Sequence, residues 1–245
     1  MSLRATGATA ARVLAQLRHD PRTIALLVFV PALLITLLKG IFAGQPETFD
    51  RIGGPLLGLF PFISMFVVSA IAMVRERLGG TLERLLTMPL AKADLLFGYG
   101  AAFALMALIQ VGVVSAVAFG ALGLTVAHKT WLLIALAVGN ALLGMALGLF
   151  VSAFATTEFQ AVQFVPAFIT PQLLLCGLFV PRDQMNDVLE AISYALPMTY
   201  AYDALARVTH AGPLGAGLAV DVAVIAGATV LALVLGAATL RRRTP

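Results

Sequence analysis

The residues best able to do chemistry fall in one short stretch, Arg75-Glu76-Arg77-Leu78-Gly79-Gly80-Thr81-Leu82-Glu83-Arg84-Leu85-Leu86-Thr87-Met88-Pro89. It joins paired charges to a run of leucines, a combination that recognises surfaces and does not make or break bonds. Gly79 and Gly80 let the backbone turn sharply. A short helix is expected from Thr81, with Glu83 in its first turn at the positive end of the helix dipole. Pro89 disfavours helix at Met88 and so ends it. Leu82, Leu85 and Leu86 then share one face, while Glu83, Arg84 and Thr87 lie away from it. Such an element suits a groove on a soluble partner, and its two fixed ends would transmit the partner's motion. A solvated connector is the simpler account; it explains Arg75 and Arg77 but not a two-turn amphipathic helix between Gly-Gly and Pro.

Bond-making chemistry has no carrier. The dipeptide Gly-Lys is absent, so there is no glycine-rich phosphate loop, and ATP hydrolysis is not expected from this chain alone. His19, His128 and His210 are far apart and lack metal-binding spacing. No Gly-x-Ser-x-Gly elbow occurs. The single cysteine, Cys176, sits in an apolar run, which excludes an internal disulfide and favours inert packing. The expectation is a non-catalytic chain with no bound cofactor or metal.

The elements that must position the charged stretch follow from composition. Of 245 residues, 60% are hydrophobic and 11% charged, with a mean hydropathy of +0.98. Soluble domains carry roughly 25% charged residues, and disorder needs low hydrophobicity, so both classes are excluded. An all-α polytopic membrane protein remains. Uncharged runs place six spans near 23–43, 54–74, 97–124, 131–154, 160–180 and 217–240. Each can cross a hydrocarbon core of ~30 Å, for which about 20 helical residues suffice. Period-2 alternation is absent, which gives no support to a barrel.

Six spans put both termini on one side. With the termini inside, Arg4, Arg12, Arg18, Arg22, Arg75, Arg77, Arg84, Lys92, Arg241, Arg242 and Arg243 are internal. Lys39, Arg51, Lys129, Arg182 and Arg207 are external, so 11 of the 16 basic residues obey the positive-inside rule. Residues 1–22 read as a cytoplasmic interfacial helix preceding a membrane domain at 23–243. Leu3, Val13, Leu14 and Leu17 are expected to face lipid, with the arginines near anionic headgroups. Lys39 and Asp221 read as interfacial anchors at the outer ends of spans one and six. Residues 181–217 read as short outer helices broken at Pro197. In span four, Asn140, Gly144, Gly148 and Ser152 recur every four residues, a small-residue stripe that lets helix backbones approach closely.

Glu76-Arg77, Gly80-Thr81-Leu82-Glu83, Leu85-Leu86 and Pro89 together resemble the signature after the second span of type-2 ATP-binding-cassette (ABC) export permeases. Cys176-Gly177-Leu178-Phe179-Val180-Pro181 is a second match, followed by Ile192-Ser193 and Pro197-Met198-Thr199-Tyr200-Ala201. Within the family, daunorubicin-resistance-type drug exporters are the most similar subgroup. Tyr99 departs from the pattern, standing where a lysine is common; so does Asn186, where a second proline is common. Arg207 falls one residue late.

The resemblance implies that the hairpin is a coupling helix contacting a separate ATPase through Glu76, Arg77, Gly80, Thr81, Glu83, Arg84, Leu85 and Pro89. It implies two ATPase subunits carrying ATP and Mg, and a second permease subunit, identical or homologous, in a prokaryotic plasma (inner) membrane. Membrane lipids surround such a chain, and nucleic acid has no part. The cargo would be hydrophobic or amphipathic small molecules, drug-like compounds or lipids, moving between spans two and five of paired subunits. Composition adds apolar and aromatic walls with a few hydrogen-bonding groups, as amphipathic cargo requires. The expected path residues are Phe62, Ser64, Phe66, Gln163, Phe164, Phe168 and Gln172. Pro166 and Pro171 would let span five bend. The simpler account has the phenylalanines facing lipid and the glutamines bonding neighbouring helices. An ion-gradient-driven secondary transporter is the alternative function, disfavoured for protons because no ionisable residue falls near a midplane.

Overall fold

The computed structural model describes residues 3–81 and 92–239, and all regular structure among them is helical. In chain order, α1 (Leu3–Arg18), α2 (Pro21–Ile41), α3 (Pro46–Leu78) and α4 (Lys92–Ser115) come first. A π-helical turn (Ala116–Ala121) extends α4. Next are α5 (Thr130–Val151), a 3-10 turn (Ser152–Phe154), α6 (Glu158–Phe164), a second π-helical turn (Val165–Ile169) and α7 (Thr170–Leu175). A 3-10 turn (Arg182–Gln184), α8 (Asp187–Ser193), α9 (Pro197–Thr209) and α10 (Gly215–Thr239) complete the order.

Local signals set the starts. Asp20 caps α2 by accepting from the Thr23 amide at 3.2 Å and from the Thr23 hydroxyl at 2.6 Å. Pro21, Pro46 and Pro197 open their helices, where no amide hydrogen is required.

Among the described residues, five helices are long and apolar enough to cross a membrane: Pro21–Ile41, Pro46–Leu78, Phe97–Ala121, Thr130–Phe154 and Gly215–Thr239. The second begins eight residues before the expected 54, and the third ends at Ala121 instead of 124. The run at 160–180 is divided among α6, a π turn and α7. Pro166 has no amide hydrogen to offer the preceding turn, so the ladder slips, and the Thr170 amide bonds the Val165 carbonyl five residues back.

α3 and α5 form the centre. A Cβ on Gly144 would stand 2.1 Å from the Phe62 carbonyl oxygen, and one on Gly148 2.3 Å from that of Phe66. Gly144 and Gly148 of the small-residue stripe therefore face α3, and only glycine permits this approach. Ser69 Oγ donates to the Met145 carbonyl at 3.0 Å, and Asn140 Nδ2 to the Ala201 carbonyl of α9 at 3.1 Å. Leu26 and Phe29 of α2 and Val230 and Leu231 of α10 point outward, 62%, 60%, 60% and 58% exposed. Apolar surfaces of this kind suit hydrocarbon, as a multi-pass membrane protein requires.

α1 corrects one expectation. Val13 and Leu17 are 3% and 9% exposed, and Leu14 is half-buried, so this apolar face is turned to protein and not to lipid. α1 packs on α4. The reason is Gly98, whose Cβ would meet Thr9 at 2.5 Å: the missing side chain lets α1 lie flat on α4. The Leu3 side chain is outside the described part.

Candidate functional site

Arg75, Glu76 and Arg77 occupy the last turn of α3. Successive residues are about 100° apart around a helix of 3.6 residues per turn, so these three point in different directions. Arg75 Nε lies 2.9 Å from Glu158 Oε1 at the start of α6, and its Nη1 lies 3.4 Å from Asp20 Oδ2 at the start of α2. Glu76 Oε1 accepts from Arg12 Nη1 of α1 at 2.9 Å. Arg12 Nη2 also donates to the Tyr99 hydroxyl of α4 at 2.6 Å. Arg77 donates to the carbonyls of Ser152, Ala153 and Ala155 in the turn after α5, the latter two at 3.4 and 3.3 Å. One helix end thus grips α1, α2, the turn after α5, and α6.

The electrostatics favour these charges. Burial opposes the charge on Arg12, but Tyr99 and Glu76 outweigh it and raise its pKa. Hydrogen bonds from Thr23, helped by Arg75, hold the Asp20 carboxyl below its ordinary range. The chain leaves α3 through Gly79, whose amide bonds the Arg75 carbonyl at 2.8 Å, and Gly80 at φ +68°. That left-handed conformation is one that glycine adopts without a steric cost. Thr81 resumes helix. Glu83, Arg84, Leu85 and Pro89 lie outside the described residues. Glu76 and Arg77 are therefore anchored behind the hairpin, and Gly80 and Thr81 begin it.

The expected path residues do not share one surface. Phe62 and Phe66 are fully buried against α5, and Gln172 is buried with its Nε2 donating to the Phe168 carbonyl at 3.0 Å. Phe66 stacks on Phe168 with centroids 6.2 Å apart. Ser64 is half-buried and bonds the Phe60 carbonyl at 3.0 Å. Phe164 and Phe168 are half-buried, and Gln163 is exposed.

At the opposite end of the bundle Asp221 is no interfacial anchor. Its side chain is 5% exposed and lies 2.9 Å from Arg207 Nε. A carboxylate withdrawn from water needs such a partner, and Gly217 leaves room for the guanidinium. Arg182 pairs with Asp203 at 2.7 Å, and burial pushes the Asp203 carboxyl up against that pull. Lys39 Nζ lies 4.5 Å from the centroid of the Phe49 ring.

Sequence reasoning missed Arg12, Tyr99, Asp20 and Glu158 as partners of the α3 end. Tyr99 was visible only as a departure from a pattern with lysine. Arg12, 87 residues away, supplies a cation beside it.

The family profile described as "ABC-2 type transporter" matches residues 4–209, and the chain belongs to that family. Nodulation protein J of Rhizobium leguminosarum bv. viciae is 30% identical over 222 residues, 84% of this chain and 83% of that protein. "ABC transporter G family member 20" of Dictyostelium discoideum is 24% identical over 164 residues, 66% of this chain. "Probable multidrug ABC transporter permease YbhR" of Escherichia coli K12 is 27% identical over 148 residues, 60% of this chain. The matched segments span 22% and 40% of the latter two proteins.

Proposed function

We propose that this chain is the membrane-spanning permease subunit of an ATP-driven ABC exporter of hydrophobic or amphipathic small molecules, energised by a separate ATPase. The observation that carries this reading is the last turn of α3. A push delivered to the hairpin after Thr81 reaches α1, α2, the turn after α5, and α6 through Arg75, Glu76 and Arg77. Residues 82–91, with Glu83, Arg84, Leu85 and Pro89, are the surface the ATPase would grip. The partner ATPase, in two copies, would hold ATP and Mg, and a second permease subunit would complete the assembly.

In this reading both termini are cytoplasmic and α8 and α9 lie outside, in a prokaryotic inner membrane. Residues 158–175 form the fifth of six crossings; 18 helical residues span about 27 Å at 1.5 Å each. Its exposed side, with Gln163 and the half-buried Phe164 and Phe168, faces the path between paired subunits. Ser64 approaches from α3, while Phe62, Phe66 and Gln172 support the wall from within.

The test is co-purification with a candidate ABC ATPase, followed by ATP hydrolysis with candidate amphipathic compounds. Glu83→Lys and Leu85→Asp should leave insertion and yield intact while abolishing cargo-stimulated hydrolysis. Normal stimulation and transport in both variants sinks the coupling assignment.

A further inference from the structure

Pro31 leaves a gap in the hydrogen-bond ladder of α2, which runs on through it. It has no amide hydrogen for the Leu27 carbonyl four residues back, and Leu27 is buried. A buried carbonyl left bare is costly, so a neighbouring helix must supply the donor. Gln110 of α4 supplies it. Its side chain is fully buried, and its Nε2 donates to the Leu27 oxygen at 2.9 Å. The Gln110 Oε1 has no partner among the described residues, so the carboxamide is oriented by the Leu27 bond. A side chain standing in for a backbone amide differs from it in one respect: it can rotate away.

Prolines also stand inside α3, at Pro55 and Pro61, but residues 53–59 there are buried without interruption. Packing fixes that helix from every side. α2 is held otherwise. Its buried residues are Leu27, Pro31 and Ile35, a single seam, and before Pro31 the seam holds Leu27 alone. A cavity of about 260 Å³ separates the start of α2, at Asp20 and Thr23, from Val68, Ile71 and Ala72 of α3 and Phe103 of α4. Asp20 reaches across to Arg75 at 3.4 Å through a part-exposed ion pair on a long side chain, which follows a moving helix without fixing it. Residues 31–41 are better anchored: Ile35 is fully buried, and Lys39 Nζ lies 4.5 Å from the centroid of the Phe49 ring.

We propose that Pro31 is a hinge in span one and that Gln110 is the latch that closes it. With the carboxamide on Leu27, residues 21–30 are held in their present line. With it withdrawn, that half swings toward the cavity while residues 31–41 stay in place. The device stands on this chain alone and is independent of the exporter reading.

Double electron–electron resonance reads the hinge in the full chain, purified in detergent with Cys176→Ala. Spin labels are placed at Leu26→Cys in the first half or Leu37→Cys in the second. Each is paired with Val230→Cys on α10, which packs on α5; all three labelled positions are exposed. Gln110→Leu removes the donor and keeps the side chain apolar and large. It should raise the population at a second distance about tenfold for the Leu26 pair, the size of one buried hydrogen bond, and leave the Leu37 pair as it was. Pro31→Ala returns an amide hydrogen to the Leu27 carbonyl. In that background Gln110→Leu should change neither pair.

A Leu26 pair that does not respond to Gln110→Leu overturns the latch. So does a response of equal size with and without Pro31→Ala, because Gln110 would then act by packing. Equal responses from both halves of α2 overturn the hinge. Should Gln110→Leu fail to purify as a folded protein, the yield decides: recovery on adding Pro31→Ala supports the latch, and no recovery overturns it. ATP and the ATPase are absent throughout, so failure here leaves the exporter reading standing, and the reverse holds.

Discussion

A single methyl group at Gly144 tests how closely α3 and α5 approach. Its carbon would lie 2.1 Å from the Phe62 carbonyl oxygen and 2.8 Å from the carbonyl carbon. Both are main-chain atoms within α3, so no side chain can rotate away. Restoring an ordinary contact of 3.4 Å from 2.1 Å parts the two backbones by about 1.3 Å. A radial gap of about 0.5–1 Å already forfeits a quarter to a half of each dispersion contact. Overpacking a dense core costs about 1–3 kcal/mol, against which alanine regains about 1 kcal/mol of helix propensity over glycine. Because the obstacle is backbone and Gly148 is pressed on Phe66 one turn later, the upper part of that range applies. Gly144→Ala should therefore lose ~2 kcal/mol net and melt about 4–8 °C lower, at 2–4 °C per kcal/mol for a chain of this size. The assay is a thermal ramp in detergent followed by size-exclusion of the surviving protein. Gly139→Ala, on the same helix with nothing within 4 Å of the added carbon, is the control and should melt no lower than wild type. If Gly144→Ala melts with that control, the close approach is wrong.

Arg77→Lys keeps the positive charge that sets orientation but loses the planar fork reaching the carbonyls after α5, so insertion should be normal while hydrogen exchange of residues 152–158 rises. Unchanged exchange there would show that the fork holds nothing. Arg207→Ala strands Asp221 in a buried site, whereas the double variant with Asp221→Ala removes both charges; the double should melt higher than the single, and strict additivity would refute the pairing. Asp20→Ala should melt lower than wild type at neutral pH. The Asp20 carboxyl is held below its ordinary 3.8, so its stabilisation is full above that value and fades as pH falls through the lowered one. The melting deficit should close in acid; a deficit constant with pH would assign the loss to something other than the carboxylate.

Much of this fold was legible because the membrane constrains it strongly. Five of the six apolar runs became helices long enough to cross, since a chain in hydrocarbon has few ways to satisfy its backbone. The run holding Pro166 and Pro171 is the one that divides, although Pro31, Pro55 and Pro61 lie inside unbroken helices, and Gly144 and Gly148 of the four-residue stripe meet α3. What periodicity does not carry is the identity of the facing surface. Val13 and Leu17 read as a lipid-facing stripe, and a stripe it is, but Gly98 admits α1 to α4 and the same residues become core. Phe62 and Phe66, expected from the family resemblance and from composition to line a cargo path, are buried. Their burial is decided by glycines some eighty residues later, which no local window contains.

The end of α3 makes the distinction sharpest. Arg75 and Arg77 obey the positive-inside rule, which uses only their sign and their distance from a span. Packing uses their positions. Three consecutive residues on a helix point about 100° apart, and here each finds a different partner, 64 residues before Glu76, 83 after Arg75 and 75 to 78 after Arg77. A motif can show that charge gathers beside Gly-Gly and Pro. It cannot show that Glu76 points back into the bundle, because that depends on Arg12 of α1, 64 residues earlier, lying 2.9 Å from it. The same three residues thus serve orientation through their charge and mechanics through their geometry. Charge-preserving substitutions such as Arg77→Lys are the ones that separate the two.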